Sequence, residues 1–183
     1  DFPRDDLCRS FTAWDIGMGD STAIWVAQVA GKEIRLLDCV ENHGVGLDWY
    51  VSWLRENNYQ GFDHILPHDV EVRELGTGKS RKEVLIEAGL NITVAPRLSI
   101  ADGIQATRRL LPRCWFHVKT KQGLNAVRNY RKEFDEKRNV FYDKPLHDWS
   151  SHYSDAIRYL AVGLDESDGS WSKPLPNNVR WVV

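Results

Sequence analysis

The sequence predicts an α/β domain built on a mixed sheet with helices on both faces. Its first forty residues contain three runs with strand character, over 9–15, 21–29 and 33–40, joined by two short turns. Such runs are typical of an antiparallel meander. After this meander, segments with a helical period alternate with short apolar runs that end at proline. A parallel sheet alone would lack the meander, so a mixed sheet is expected.

The spacing of the apolar residues defines the later elements. A first helix is expected where Leu47, Tyr50, Val51 and Leu54 fall on one helical face. Further helices are expected over 79–88, 99–111, 120–134 and 148–163, and short strands over 62–66 and 91–95, whereas 114–118 is too short to assign. The predicted buried stripe of the last helix consists of Trp149, Tyr153, Ala156, Ile157 and Leu160.

Length and composition limit the class of protein. The 183 residues suit one domain over 1–163 followed by a partly flexible tail over 164–183, of which residues 180–183 can pack back as a strand. A chain that begins without Met is expected to be a fragment of a longer protein. Three cysteines without a CxxC pair favour neither a zinc site nor a disulfide framework, and indicate a reducing compartment. No apolar run reaches the length of a membrane span.

The net charge argues against a protein that binds DNA by charge alone. The formal net charge is −2 and the isoelectric point is about 6.3, whereas such proteins are basic. Any contact with nucleic acid must therefore depend on a local basic patch or on a partner.

Three aspartates stand out by their positions in the predicted elements. Asp15 ends the first strand, Asp69 follows the fourth, and Asp155 lies on the last helix, away from its buried stripe. If the first and fourth strands are neighbours, these carboxylates come together. Close carboxylates without a basic partner stay ionised only beside a cation, and hard oxygen ligands favour Mg²⁺ or Mn²⁺. Two such ions, about 3.5–4 Å apart, can activate water and stabilise the leaving oxygen in phosphodiester hydrolysis. The alternative is that these are ordinary surface acids, since the chain has 26 of them.

The segment around Asp155 adds further candidates. Asp148, His152 and Asp155 are spaced four and three apart, which places them on one face of a helix. Asp148 can instead be a helix N-cap, and His152 can make a structural hydrogen bond. His147 can equally be a solvated loop residue.

These motifs together resemble a known family. The segments are Asp15-Ile-Gly-Met-Gly-Asp20-Ser-Thr-Ala-Ile-Trp, His68-Asp69, and His147-Asp148-x-Ser-x-His152-x-x-Asp155-Ala-x-Arg158-Tyr159. They resemble the nuclease domain of tailed-bacteriophage large terminase subunits, which has an RNase H-like (RuvC-type) fold. The resemblance covers roughly residues 8–163, and the last motif is its most specific part.

The resemblance implies a metal-dependent endonuclease that cuts concatemeric viral DNA during genome packaging in the host cytoplasm. It implies that Asp15, Asp69 and Asp155 are the catalytic ligands of two Mg²⁺ or Mn²⁺ ions, and that Asp20 and Asp148 are acids near the site. Many relatives have Glu at the position of Asp69. The implied partners are double-stranded DNA, an ATPase domain in the same full-length chain, the portal protein and the small terminase subunit, with no membrane.

A glycine-rich loop and the basic residues after it suggest DNA-backbone contact. The loop, Leu75-Gly76-Thr77-Gly78-Lys79-Ser80, lacks the first glycine of a Walker A motif because Arg73 occupies that position. Contact of Lys79, Arg81 and Lys82 with DNA phosphates is therefore favoured over nucleotide binding, and a plain solvated loop is the alternative.

Two other functions remain open from the sequence. One is a DNA-docking or motor-coupling module with little intrinsic cleavage. The other is a different RNase H-like nuclease, such as a resolvase or an integrase. Serine or cysteine hydrolase chemistry is disfavoured, since the chain has no G-x-S-x-G turn and its cysteines have no recognisable partner.

Overall fold

In the part of the chain that the structure describes, six strands form a central sheet. The computed structural model describes residues 2–17 and 21–167, so the predicted strand at 180–183 lies outside the described residues. The strands are β1 Arg9–Ile16, β2 Thr22–Ala30, β3 Glu33–Asn42, β4 Asp63–Leu66, β5 Asn91–Val94 and β6 Cys114–Phe116. Their spatial order is β5-β4-β1-β2-β3-β6. The strand β6 formed in the segment that was too short to assign.

The sheet is mixed, as predicted. β1 to β3 form an antiparallel meander, and β4, β5 and β6 pair in parallel with β1, β4 and β3 respectively. Side chains alternate between the two faces of a strand. The buried indoles of Trp14 and Trp25 consequently belong to two separate cores, one on each face of the sheet.

Among residues 2–17 and 21–167, five helices cover the two faces of the sheet. They are α1 Leu47–Glu56, α2 Arg81–Glu87, α3 Ile100–Leu110, α4 Lys121–Asn129 and α5 Ser151–Ser167. The helices α1 and α2 pack on the Trp14 face through apolar residues such as Leu54 and Leu85. The helices α3, α4 and α5 pack on the Trp25 face through Ala106, Ala126 and Leu160. The predicted α/β class with helices on both faces is confirmed.

The predicted helix over 120–134 is wrong in its second half. The helix α4 ends at Asn129, and Tyr130 adopts extended backbone angles. A two-stranded hairpin follows, made of β7 Lys132–Asp135 and β8 Val140–Pro145. The rings of Phe134 and Phe141 pair across it at 4.8 Å. The hairpin was not predicted because the charged residues between its strands favour a helix. Only the aromatic positions in its strands mark an alternating pattern.

The last helix begins later than predicted. Asp148 accepts hydrogen bonds from the backbone N–H and the hydroxyl of Ser150, which forms a turn ahead of α5. Trp149 lies in that turn and is 57% exposed, so its place in the buried stripe was wrong. The other predicted members of the stripe are buried. In the described residues, no helix combines the length and apolar character that crossing a membrane requires.

Candidate active site

The first part of the site is a row of three residues across the sheet. Asp15 of β1 lies opposite Ala23 of β2, and Ala23 lies opposite Glu41 of β3. Residues directly opposite one another in antiparallel strands point to the same face. Ala23 belongs to the core under α5, so both carboxylates project from the α5 side of the sheet. The small methyl group of Ala23 leaves space between them.

Asp155 comes to this row from α5. Its Oδ1 accepts a hydrogen bond from the hydroxyl of Tyr130 at 3.2 Å and lies 3.2 Å from Nη2 of Arg158. Burial raises the pKa of Asp155 above its ordinary value, the Arg158 guanidinium opposes this rise, and the charge of Asp15 adds to it. The charge of Asp15 therefore lies close enough to Asp155 to contribute to the raised pKa of Asp155.

His152 connects α5 with the sheet row. Its Nδ1 lies 3.4 Å from Oδ2 of Asp15, and both side chains are mostly buried. Burial raises the pKa of Glu41, and a nearby positive charge on His152 lowers it. The imidazole of His152 therefore lies near the carboxylates of Asp15 and Glu41. This setting agrees with the alternative interpretation, in which His152 makes a structural hydrogen bond. His147 is exposed, with its ring centre 5.6 Å from that of His152.

Asp69 reaches the same region from the neighbouring strand. It lies exposed in a short 3-10 turn, His68–Glu71, just after β4, which is the parallel neighbour of β1. The pKa of the Tyr159 phenol is affected by the charges of all three aspartates. Burial raises its pKa to about 12, Arg158 lowers it, and the charges of Asp15, Asp69 and Asp155 raise it further. The charges of the three predicted acids thus all act on one tyrosine of α5.

The separation of these side chains bears on metal binding. Over residues 2–17 and 21–167, no three His, Cys, Asp or Glu side chains are close enough together to hold one ion. The premise that the acids lack a basic partner was also wrong, since Arg158 pairs with Asp155 and His152 lies beside Asp15. Charge repulsion alone therefore does not demand a cation here. The chemistry of the donors still fits a hard cation, because each acid offers carboxylate oxygens.

The remaining predicted residues lie in different settings. Asp20 falls outside the described residues. Asp148 precedes α5, so it does not share its helical face with His152 and Asp155; its Oδ2 pairs with Arg131 at 3.2 Å. The predicted DNA-binding cations each pair with a glutamate: Lys79 with Glu87, Arg81 with Glu74, and Lys82 with Glu71.

Three residues of the site were missed from the sequence. Glu41 ends a strand, as Asp15 does, and counting the register across the two turns of the meander identifies it. Arg158 lies three residues after Asp155 on the same helix, a spacing that favours an ion pair. Tyr130 carries no such signal, because it was placed inside a helix that the structure ends at Asn129.

Comparison with solved structures identifies the fold. The chain is similar to the P22 large terminase nuclease domain, with 17% identity and a TM-score of 0.66, over 89% of this chain and 84% of that one. It is similar to the nuclease domain of g2p, the large terminase of bacteriophage SPP1, with bound Mn, at 20% identity and a TM-score of 0.63, over 86% of both chains. No protein-family model and no curated protein matches it.

A longer structure is matched only in part. The large terminase of the thermophilic bacteriophage D6E, in complex with ATP-gamma-S, is 17% identical with a TM-score of 0.65, over 87% of this chain. The chain spans 41% of the length of that protein. The chain therefore has an RNase H-like fold. More particularly, it has the fold of large terminase nuclease domains, which confirms the predicted resemblance at the level of structure.

Proposed function

We propose that this chain is a metal-dependent DNA endonuclease, the nuclease domain of a large terminase that cuts concatemeric viral DNA during genome packaging. The observation that carries the proposal is the placement of Asp15 on β1, Asp69 just after the neighbouring strand β4, and Asp155 on α5. The strand, strand end and helix that carry these acids belong to a fold shared with terminase nuclease domains.

Within this proposal, Asp15, Asp69 and Asp155 hold two Mg²⁺ or Mn²⁺ ions. Such ions activate water and stabilise the leaving oxygen of a phosphodiester. The SPP1 nuclease domain was solved with bound Mn, which supports a divalent cation for this chain too. Ion binding requires these side chains to move closer together than they are in the described residues, and the exposed side chain of Asp69 can rotate towards the ions.

The chain's own residues prepare the carboxylates for this task. His152 restrains Oδ2 of Asp15 from the helix side, at 3.4 Å. Arg158 opposes the effect of burial on Asp155, since the guanidinium lowers the pKa that desolvation raises. An ionised carboxylate is the form that binds a cation.

DNA contact is proposed for Lys79, Arg81 and Lys82. Arg81 is more deeply buried than the two lysines and also donates to the carbonyl of Ile16. The Lys79–Glu87 and Lys82–Glu71 pairs are partly exposed, and exposed ion pairs contribute only about 0–1 kcal/mol. A DNA phosphate can therefore displace these glutamates at low ionic strength. Such contact would weaken steeply with added salt.

The wider assembly is proposed from the resemblance. The domain is taken as residues 1–163 with 164–183 as a tail, and the proposed partners are an ATPase domain in the same chain, the portal protein and the small terminase subunit. The match to a longer D6E large terminase supports the first of these. The proposed location is the host cytoplasm.

The test is plasmid cleavage with Mg²⁺ or Mn²⁺. We expect the wild-type chain to nick and linearise the plasmid, and we expect Asp15→Asn, Asp69→Asn and Asp155→Asn each to abolish cutting. Asp6→Asn is the matched control, because Asp6 is exposed and lies before β1, at the opposite end from Asp15. Full activity in any of the three site variants removes that residue from the scheme.

One observation favours a second candidate, a docking module whose cutting is suppressed. Asp155 already has a cationic partner in Arg158, so the site is partly neutralised without an ion. DNA binding that survives chelation, together with Mn²⁺ binding but no cleavage, would support this candidate. Preference for branched over linear duplex in the same assay would indicate a resolvase instead.

A further inference from the structure

A tyrosine outside the predicted motifs touches the site. Tyr130 follows the last residue of α4, and its hydroxyl donates to Oδ1 of Asp155 on α5. The phenol O–H is the donor in this bond, and the carboxylate oxygen is the acceptor.

The backbone beside Tyr130 is held in place from both sides. The carbonyl of Arg131 accepts a hydrogen bond from the backbone N–H of Leu146 at 2.9 Å, which closes the base of the hairpin. The side chain of Arg131 pairs with Asp148, just ahead of α5. These two contacts tie the end of α4 to the start of α5, so the hydroxyl of Tyr130 has a fixed direction of approach.

Arg158 approaches the same oxygen from α5 itself. Its aliphatic stem packs on Gly103 of α3, where a β-carbon would come within 2.7 Å of Cδ. Its guanidinium also lies over the ring of Tyr159, 5.4 Å from the ring centre. Tyr130 and Arg158 thus both contact Oδ1 of Asp155, each at 3.2 Å.

We infer that Tyr130 is a positioning residue which, together with Arg158, fixes the carboxylate of Asp155 so that it offers the single oxygen Oδ2 to a divalent cation. This inference rests on the proposed function. Groups that orient a metal ligand in this way are typically worth about 10–100-fold in metal affinity or activity.

Tyr130→Phe tests the inference, because it removes one hydroxyl and keeps the ring. The matched control is Tyr142→Phe, which removes the same kind of bond, 2.8 Å long, to Asp135 within the hairpin. Mn²⁺ binding is measured by calorimetry on the whole chain. We expect Tyr130→Phe to bind Mn²⁺ about 10-fold more weakly than the wild type, with Tyr142→Phe unchanged.

Cleavage provides a second readout. We expect Tyr130→Phe to need about 10-fold more Mn²⁺ for half-maximal cutting, to recover most of its rate at saturating Mn²⁺, and to bind DNA normally under chelation. Equal Mn²⁺ affinity in Tyr130→Phe and wild type overturns the inference and leaves the proposed function standing, even if the variant is less stable. Absence of Mn²⁺ binding by the wild type overturns both.

Discussion

The tightest packing under the site lies between Gly123 of α4 and Trp25 of β2. A methyl group on Gly123 would lie 2.5 and 2.6 Å from two ring carbons of Trp25 and 3.1 Å from Sγ of Cys39. Carbon atoms prefer separations of about 3.5–4.0 Å, so the methyl is about 1 Å too close. Trp25 is fully buried and cannot move aside without disturbing its neighbours. Its Nε1 donates to the carbonyl of Tyr153 on α5, between His152 and Asp155.

Gly123→Ala is therefore expected to destabilise the fold and displace the site. Overpacking of a core costs about 1–3 kcal/mol. The better helix propensity of Ala offsets about 1 kcal/mol of this, which leaves a net loss of up to about 2 kcal/mol. The shift of Trp25 should also lower cleavage by more than the unfolded fraction explains.

Urea unfolding followed by tryptophan fluorescence measures this loss. Gly61→Ala is the control, since its new methyl would meet nothing within 4 Å, and a change within about 0.5 kcal/mol is expected for it. If Gly123→Ala is as stable as this control and cuts DNA as fast as the wild type, the proposed link from α4 through Trp25 to α5 is incorrect.

Three further predictions concern the rest of the fold. Burial lowers the pKa of His64, so the folded state resists a proton that the unfolded chain takes up below about pH 6.5. Stability, measured by urea midpoints, should therefore fall as the pH drops from 7.5 to 5.5, and it should fall less in His64→Gln. An equal fall in the variant would show that His64 is not the cause. Ser80→Ala should cost about 1 kcal/mol in urea unfolding, because it breaks the reciprocal cap between Ser80 and Glu83 at the start of α2, while no loss would show that the cap does not stabilise the helix. Gly89→Ala should cost about 1–2 kcal/mol in the same assay, because Gly89 has φ of 86° just after α2, and an unchanged midpoint would argue against strain at this position.

The sheet and most helices could be predicted because their signals are local. Strand alternation and short turns defined β1 to β3, and Ser99 marks the first turn of α3, since its side chain accepts a hydrogen bond from the backbone of Asp102. The hairpin β7–β8 could not be predicted in this way. Its strands are largely exposed and half of their residues are charged, so neither face shows the apolar period that burial imposes.

The acids of the candidate site were proposed from the sequence, whereas the residues that contact them, such as Tyr130 and Arg158, were not. Asp15 and Asp69 follow from strand ends, and the pairing of β1 with β4 that brings them together was expected only conditionally. The groups that contact Asp155 are Tyr130 and Arg158. The position of Tyr130 depends on where α4 ends, and that of Arg158 depends on the packing of its aliphatic chain against α3. Both are tertiary features that no local spacing encodes.

The most direct test of the cation site is anomalous diffraction from a crystal of the chain soaked in Mn²⁺. The account predicts manganese density between Asp15 and Asp155, on the side of Oδ2 of Asp155, with Asp69 turned towards it, and predicts that the density is lost in Asp155→Asn. Manganese that binds elsewhere, or density that persists in Asp155→Asn, would contradict the account.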